Sequence, residues 1–439
     1  MFYWGARQNA TLGRRQASFA RRHIQERGVC TLSETRFITD DGSLRQLAQD
    51  LSGERIIALD TEFLTERYFY PRLCLIQIGT PKVLATVDPL ACQDLSPLAE
   101  LLAEPAVLLL HAGAQDLSIL RRRLGYLPSK VFDTQIAAAF LGFGHSISYS
   151  RLVESCCAVK LSRSRAYTDW AQRPLADDQL QYALDDVRYL MRIYELLSKD
   201  LLKQGRLGWV EEECRLARNL ALHDPDPREQ WRRLSGVRGI RRRQLLVLRE
   251  LVAWREEEAR RRDRPRQHII PDRVLREISQ STPRSVSELK NMRGLHPREH
   301  KRSGMAIIAA VEAGLAAPDS SLPLPRRHSY LKNDPAVGVV ALLADTYMKT
   351  RARELGLAPQ LLANRKDLES IVRMMAENGG APLEEGTIGQ GDSSVRLLDG
   401  WRREVAGEDV MRLLAGRIAL RVKIRSGSVD LVVEDQENS

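Results

Sequence analysis

Two acidic residues, Asp60 and Glu62, stand at the end of a short apolar run, where their side chains could bind a metal ion. The run from Ile56 to Leu59 predicts a buried strand, and residues two apart on a strand point to the same face. Two like charges on one partly buried face are costly without a counter-ion, and a divalent cation such as Mg²⁺ is the simplest one. The alternative is that the Asp-x-Glu pair merely ends the strand in solvent, as most isolated matches of this kind do.

A third acid, Asp116, follows a second apolar strand. The segment from Val107 to Leu110 has no polar residue, which is typical of a strand buried on both faces. Leucines at helical spacing follow as far as Leu124, so Asp116 lies in the first turn of a predicted helix. It is a candidate ligand there, although an acid at that position also interacts favourably with the helix dipole.

Tyr182 and Asp186 complete the set of candidates, on the strongest predicted helix of the chain. Apolar residues recur with a helical period from Ala176 to Leu201. Tyr182 and Asp186 are one turn apart at the edge of this apolar stripe, whereas Asp185 points toward solvent. The alternative interpretation of this pair is a half-buried aromatic residue beside a solvated acid.

The elements around these residues predict an α/β domain. Asp60 and Glu62 lie on the first strand of a meander, because a second apolar run ends at Gly79 and a third spans residues 83–87. Further helices and short strands then alternate as far as Phe140. This order predicts a mixed sheet covered by helices.

The composition of the 439 residues, with 43% hydrophobic and 28% charged, is that of globular protein with two to four domains. The net charge of +10 favours a polyanionic partner such as nucleic acid. No apolar run approaches the about 20 residues of a membrane span. The six cysteines show no C-x-x-C spacing, so we predict reduced core thiols in a cytoplasmic protein and no zinc site.

The domain organisation follows from changes in composition along the chain. Beyond Gln204, strand signals almost vanish and helical periodicity dominates. The basic N-terminus is similar in composition to a transit peptide, but we interpret it as a disordered extension. The predicted parts are a basic extension (1–32), an α/β domain (33–222), a helical domain (226–315), a Pro- and Ser-rich linker (316–334), a second helical unit that weakly echoes the first (335–425) and a frayed tail (426–439).

The order Asp-x-Glu, Asp116 and Tyr-x-x-x-Asp resembles the DEDDy group of 3′-to-5′ exonucleases. The surrounding residues are similar to those of the ribonuclease D family over about residues 33–205, including the segments 73–79, 132–135 and 169–175. This resemblance implies an α/β RNase H-like 3′-to-5′ exonuclease domain followed by two all-α HRDC-like helical domains. The likeness of the second helical unit is faint.

The resemblance also implies a site for two divalent cations, Mg²⁺ or Mn²⁺, about 4 Å apart, which assist phosphodiester hydrolysis. Asp60 is expected to bridge the ions, and Glu62, Asp116 and Asp186 are expected to complete their coordination. Tyr182 is expected to orient the attacking water, because a phenol with a pKa of about 10 is a poor base at neutral pH.

Three further residues are candidate substrate contacts of the predicted exonuclease site: Thr61, Phe63 and His111. His111 stands between a buried strand and a helix, where a lone histidine is more often structural than functional.

The predicted function is a metal-dependent 3′-to-5′ exoribonuclease that trims structured RNA, such as tRNA precursors with a single-stranded 3′ end, and releases nucleoside 5′-monophosphates. The alternatives are a DNA 3′-to-5′ exonuclease and a nucleic-acid-binding protein without catalytic activity. No motif displays the 2′-hydroxyl contact that separates RNA from DNA, so only the family resemblance favours RNA.

Overall fold

The computed structural model describes residues 34–103, 107–162, 168–237, 239–290, 292–321, 334–380, 395–425 and 428–436. The predicted basic extension, residues 1–32, lies outside the described residues, as does most of the predicted linker.

The N-terminal domain is built on a mixed sheet. Its strands are β1 (Glu34–Ile38), β2 (Ile56–Leu64), β3 (Arg72–Gly79), β4 (Val83–Val87), β5 (Val107–Leu110) and β6 (Lys130–Asp133). The strand order is β1-β4-β3-β2-β5-β6. The predicted meander is confirmed, since β3 is antiparallel to both β2 and β4. The edge strand β1, which pairs parallel with β4, was not predicted because its sequence lacks a run of apolar residues.

Helices cover both faces of this sheet. They are α1 (Asp41–Asp50), α2 (Ser96–Ala103), α3 (Ala114–Leu124), α4 (Thr134–Phe140), α5 (Tyr149–Cys157), α6 (Asp177–Arg188), α7 (Leu190–Lys203) and α8 (Leu207–Ala221). Residues alternate along β2, so Ile57 and Leu59 belong to the core that contains α3, whereas Ala58 belongs to the core that contains α6 and α7. By the same alternation, Asp60 and Glu62 face the α6 side.

The predicted single helix from Ala176 to Leu201 is wrong, because the structure divides it into α6 and α7 at Tyr189. The hydroxyl of Tyr149 donates to the carbonyl oxygen of Asp185 at 3.0 Å and accepts from the backbone N–H of Tyr189 at 3.4 Å. In an uninterrupted helix that N–H would donate to the Asp185 carbonyl directly. A side chain inserted into the hydrogen-bond ladder is a known cause of helix breaks.

A helical domain follows the sheet. Its helices are α9 (Arg242–Arg262), α10 (Arg266–Ile269), α11 (Asp272–Ser281), α12 (Val286–Leu289) and α13 (Pro297–Ala316). The loop between β2 and β3 inserts into its core, where the Phe69 side chain is buried. The backbone N–H of Phe69 also donates to Asp263 at 3.1 Å, and the Tyr70 hydroxyl donates to Asp224 at 3.0 Å. The strand that carries the acidic pair is thereby attached to this helical domain.

The C-terminal unit differs from the prediction. It contains α14 (Pro335–Leu355), α15 (Arg365–Glu377), α16 (Gly400–Arg402), α17 (Glu408–Leu414), β7 (Ile418–Arg425) and β8 (Ser428–Asp435). The predictions of a purely helical unit to residue 425 and of a frayed tail over 426–439 are therefore wrong where β7 and β8 form an antiparallel hairpin. Apolar and polar residues alternate from Leu420 to Arg425, which is a strand pattern.

The described residues also bear on membrane-spanning helices and on the cysteines. None of the described helices has the length and apolar character needed to cross a bilayer. The five cysteines that the structure describes are free thiols, and four of them are buried. The only cluster of possible metal ligands in this part of the chain consists of carboxylates and contains no cysteine.

A buried ion pair joins the sheet domain to the C-terminal unit. Glu213 on α8 accepts from Arg402 at 2.9 Å and from the indole N–H of Trp401 at 3.0 Å. Glu213 and Arg402 are only 8% and 3% exposed. Burial alone would raise the pKa of the Glu213 carboxyl, but the hydrogen bonds from Arg402 and Trp401 lower it below its usual value. The ionised pair is thus retained inside the interface.

Glu213→Gln should lower the free energy of unfolding by about 3 kcal/mol or more, because it leaves the buried Arg402 guanidinium without its counter-ion. Urea denaturation at neutral pH measures this loss. Glu211→Gln, on the exposed side of the same helix, is the matched control and should change stability little. Equal effects of the two substitutions would contradict a stabilising role for the buried pair.

Candidate active site

Three of the predicted acids meet at one point of the structure. Single carboxylate oxygens of Asp60, Glu62 and Asp186 all lie within 4.8 Å of one another. Asp60 and Glu62 come from β2, and Asp186 comes from α6, which packs across β2, β3 and β4. This excludes the alternative interpretation, in which the Asp-x-Glu pair merely ends a strand in solvent.

The position of α6 depends on a close approach to β3. A Cβ atom at Gly79 would lie 3.1 Å from the carbonyl oxygen of Val187 and 3.2 Å from its Cβ, so a larger residue would push the helix away. The segment before α6 is anchored by Arg173, whose guanidinium donates to Asp88 and to the carbonyl of Cys74, both at 2.7 Å. These contacts hold Asp186 against the acidic strand.

Asp116 approaches the cluster from the opposite side of the sheet. It lies in the first turn of α3 and accepts a hydrogen bond from the hydroxyl of Thr61, the buried residue between the two acids of β2. The start of α3 is fixed by Asp133, which accepts from the N–H groups of Ala112 at 3.0 Å and Gly113 at 2.9 Å. Asp116 is near enough to raise the pKa values of Asp60 and Glu62, although it is not within the three-carboxylate cluster itself.

Burial and mutual repulsion change the protonation of these acids. Burial, followed by the charges of Asp116, Asp186 and Glu62, holds the pKa of Asp60 well above its usual value. Burial, followed by the charges of Asp186 and Asp116, raises the pKa of Glu62 to about 8. Burial with the neighbouring Asp185 raises that of Asp186 to about 7. Burial also raises the pKa of Asp116, against the opposing hydrogen bond from Thr61. Without a counter-ion, this group of acids therefore retains protons near neutral pH.

Comparison with known proteins agrees with this geometry. A family model described as 3′-5′ exonuclease matches residues 35–202, and an HRDC domain model matches residues 244–311. Ribonuclease D of Granulibacter bethesdensis is 37% identical over 390 residues, which are 88% of this chain and 94% of that protein. Ribonuclease D of Pseudomonas paraeruginosa is 35% identical over 392 residues, which are 88% of this chain and 98% of that protein. The chain belongs to the ribonuclease D family.

A solved structure extends the likeness to three dimensions. The crystal structure of Escherichia coli RNase D matches with a TM-score of 0.75 at 31% identity, covering 87% of this chain and 98% of that one. The protein is therefore a 3′-to-5′ exoribonuclease, with an RNase H-like exonuclease domain followed by an HRDC domain. The alternative of a binding protein without catalytic activity is set aside.

Exonucleases of the ribonuclease D type depend on divalent metal ions, and the residues present here fit such ions. The donor set is made of carboxylate oxygens, which hard cations prefer. A second observation is Gln77, which lies directly opposite Asp60 on β3 and is fully buried. Neither polar atom of its amide has a hydrogen-bond partner in the described part of the chain. Raised carboxyl pKa values beside such an amide are typical of a site built around a charged ligand.

Tyr182 lies beside the acids, one helical turn before Asp186. Its ring centroid is 6.2 Å from that of the buried Trp170. Burial and the nearby charges of Asp186, Glu62 and Asp60 raise its pKa, so the hydroxyl keeps its proton. A protonated hydroxyl in this position can donate a hydrogen bond to water or accept one from it. It cannot remove a proton from water at neutral pH.

The three candidate substrate contacts lie in different environments. Thr61 is buried and bonded to Asp116, and Phe63 is half-buried against the core on the α3 side. Both ring nitrogens of His111 are occupied, by the Thr134 hydroxyl at 3.0 Å and the Ile147 carbonyl at 3.1 Å. Burial lowers the pKa of His111, which favours the neutral imidazole.

Sequence reasoning missed several residues that position the site. Gln77 carried a usable signal, because it is the one polar side chain inside the otherwise apolar core of β3. Asp133 is recognisable as a helix N-cap, but its bonds to the start of α3 depend on the pairing of β5 with β6. Tyr149 had no local signal, since it acts on a helix break about forty positions away.

The free energy of unfolding of the metal-free protein should fall as pH rises from about 5 to 8. The native state holds protons on Glu62 and Asp186 that the unfolded chain, with carboxyl pKa values of about 4, has already released. Glu62→Gln should reduce this fall, because it removes one of the titrating groups. Urea denaturation in the presence of a chelator measures the effect, with Glu211→Gln, an exposed acid on α8, as the matched control. A pH dependence unchanged by Glu62→Gln would contradict the raised pKa.

Proposed function

We propose that this exoribonuclease trims the 3′ ends of structured RNA, such as tRNA precursors, in the cytoplasm and releases nucleoside 5′-monophosphates. The observation that carries the proposal is the meeting of Asp60, Glu62 and Asp186, with Asp116 at its edge. Oxygen ligands from three separate elements suit a two-metal-ion hydrolysis, in which both the attacking and the leaving oxygen must be stabilised.

Each acid has a distinct part in holding two Mg²⁺ or Mn²⁺ ions. Asp60, whose carboxylate is near those of the other three acids, would bridge them. Glu62, Asp116 and Asp186 would complete the coordination, directly or through water. When bound, the ions supply positive charge to the phosphate and lower the pKa of the attacking water. They also replace the protons that the acids would otherwise retain.

Tyr182 orients the attacking water in this proposal. Its ring is fixed by packing against Trp170, and its hydroxyl faces the Asp186 carboxylate. A fixed hydroxyl beside the cluster can hold a water molecule in line with the scissile phosphate, which is a contribution of orientation rather than of proton transfer.

The choice of structured RNA is supported by the relatives. The Escherichia coli enzyme is described as an exoribonuclease involved in structured RNA processing, and its likeness covers 87% of this chain. We infer that this unit is a second, diverged HRDC-like domain, extended by the β7–β8 hairpin. Thr61 and Phe63 remain proposed substrate contacts beside the metal site, whereas the occupied nitrogens of His111 favour its structural role.

Asp60→Asn and Asp186→Asn should each abolish hydrolysis while leaving the fold intact, because each removes a ligand from the cluster. The assay uses a 5′-labelled tRNA precursor and a DNA of matched sequence, with Mg²⁺ and with chelator. Wild-type protein should shorten the RNA from its 3′ end only in the presence of Mg²⁺.

Asp185→Asn is the matched control for both substitutions. Its carboxylate bonds to Gln181 and Arg188 on the outer side of α6, so activity should be nearly unchanged. Near wild-type rates in both the Asp60 and Asp186 variants would contradict the metal assignment. Faster degradation of the DNA would favour the alternative function, a DNA exonuclease.

Tyr182→Phe should reduce kcat by about 10²-fold while leaving KM and the Mg²⁺ dependence little changed. The substitution keeps the ring packed against Trp170 and removes only the hydroxyl. Steady-state kinetics over a range of RNA and Mg²⁺ concentrations separate these parameters. Much weaker binding of Mg²⁺, or an unchanged kcat, would contradict the water-orienting role. Tyr182 would then be only a half-buried packing residue.

A further inference from the structure

A basic cleft lies where the β2–β3 loop meets the HRDC domain. Two adjoining hollows of about 300 and 420 Å³ share Arg264 and His268 in their walls. The HRDC domain also contributes Arg298 and Arg302, and the β2–β3 loop contributes Arg67. We call this surface, lined by Arg67, Arg264, His268, Arg298 and Arg302, the seam cleft.

The acids near the seam cleft are already committed to other partners. Glu299 is bonded to both terminal nitrogens of Arg262, at 2.7 and 2.8 Å. Asp263 accepts from the backbone N–H of Phe69. Glu258 pairs with Arg261 at 2.6 Å. Arg262 and Arg261 thus neutralise Glu299 and Glu258, whereas Asp263, bonded to an uncharged N–H, keeps one negative charge. The four arginines of the cleft outnumber it.

The arginines of the seam cleft are clustered and lack direct side-chain partners. Arg67, Arg264 and Arg298 are exposed, as is Arg302. Within the residues that the structure describes, no hydrogen bond or ion pair joins any of their side chains to another residue. Among the described residues, Arg45 and Arg55 are likewise exposed and without such a partner, but neither lines these hollows. Four guanidinium groups without a direct partner around two adjoining hollows repel each other unless an anion binds.

Helix α13 strengthens this argument. Its N-terminus opens into the seam cleft, and the His296 side chain caps it by accepting from the N–H of Arg298 at 3.1 Å. Arg298 stands in the first helical turn, and Arg302 follows one turn later. The positive end of a helix dipole disfavours cations and favours anions such as phosphate. Arginines at this end lower the stability of the helix, but they strengthen the attraction for a phosphate ligand.

The seam cleft is close to the metal site. Arg67 follows Glu62 by five positions, so their Cα atoms are at most about 17 Å apart. The intervening loop is held in place by the burial of Phe69 and by the Arg122 guanidinium, which lies 3.4 Å from the centre of the Tyr70 ring. A chain that ends at the acids can therefore continue past the cleft.

We propose that the seam cleft binds backbone phosphates of the RNA whose 3′ end occupies the metal site. The proposal rests on the proposed function for the identity of the polyanion. Its role is to retain the body of the substrate during successive cleavages, which raises affinity without taking part in the chemical step. Guanidinium contacts to phosphate carry no sequence information, as a processing enzyme with varied RNA ends requires.

The test compares full-length wild-type protein with the double variant Arg264→Gln and Arg298→Gln. RNA binding is measured with chelator, using a single-stranded RNA labelled at its 5′ end, over a range of salt concentrations. The double variant should bind about tenfold more weakly, and the slope of log affinity against log salt should shrink by about 1.4 for two lost phosphate contacts. With Mg²⁺, KM for this RNA should rise while kcat and cleavage of a trinucleotide stay unchanged.

The matched control is Arg45→Gln with Arg55→Gln, which removes the same charge from two exposed positions, Arg45 on α1 and Arg55 just before β2. Arg67→Gln probes the cleft from the nuclease side and should weaken binding in the same direction. Equal binding losses in the cleft and control variants would overturn the proposal, as would an unchanged salt slope. Binding is measured without metal, so it is independent of hydrolysis. If wild-type protein binds RNA through the cleft but hydrolyses none with Mg²⁺, the proposed function is wrong and the cleft proposal stands.

Discussion

The repulsion among Asp60, Glu62 and Asp186 is the constraint on which the rest of the structure depends. Three carboxylates within 4.8 Å of one another, in a largely buried position, are unfavourable when ionised. The raised pKa values of these acids express that cost in the metal-free protein. Divalent cations bound there would relieve it, so the same arrangement that destabilises the metal-free fold would create affinity for the ions.

Holding the acids together requires contacts from several distant segments. Gly79 allows α6 to lie close to β3, and Arg173 anchors the segment before that helix. Tyr149 ends α6 just beyond Asp186, so that α7 can leave in a new direction. The loop that follows the acidic strand is fastened into the HRDC domain through Phe69. The HRDC domain, which contributes most of the seam cleft, is thus connected directly to β2, the strand that carries the proposed metal ligands Asp60 and Glu62.

Local patterns predicted the meander, the buried strand β5 and the helix that carries Asp116, because each depends on apolar periodicity within a short segment. The break at Tyr189 was missed because its cause, Tyr149, is distant in sequence. The hairpin of β7 and β8 was not predicted, although apolar and polar residues alternate along β7 from Leu420. For the candidate site, spacing predicted the four acids and Tyr182, and the structure brings Asp60, Glu62 and Asp186 together. Gln77 and Asp133 gained their positions only through strand pairing.

The central claim is that divalent cations replace protons on the acidic cluster. Calorimetric titration of metal-free protein with Mg²⁺ at neutral pH, in two buffers with different ionisation enthalpies, measures the protons released on binding. The account predicts release of at least about one proton per protein molecule, since Glu62 has a pKa of about 8 before the ions bind. Binding of Mg²⁺ with no proton release would contradict it, because the carboxylates would then already be ionised in the metal-free state.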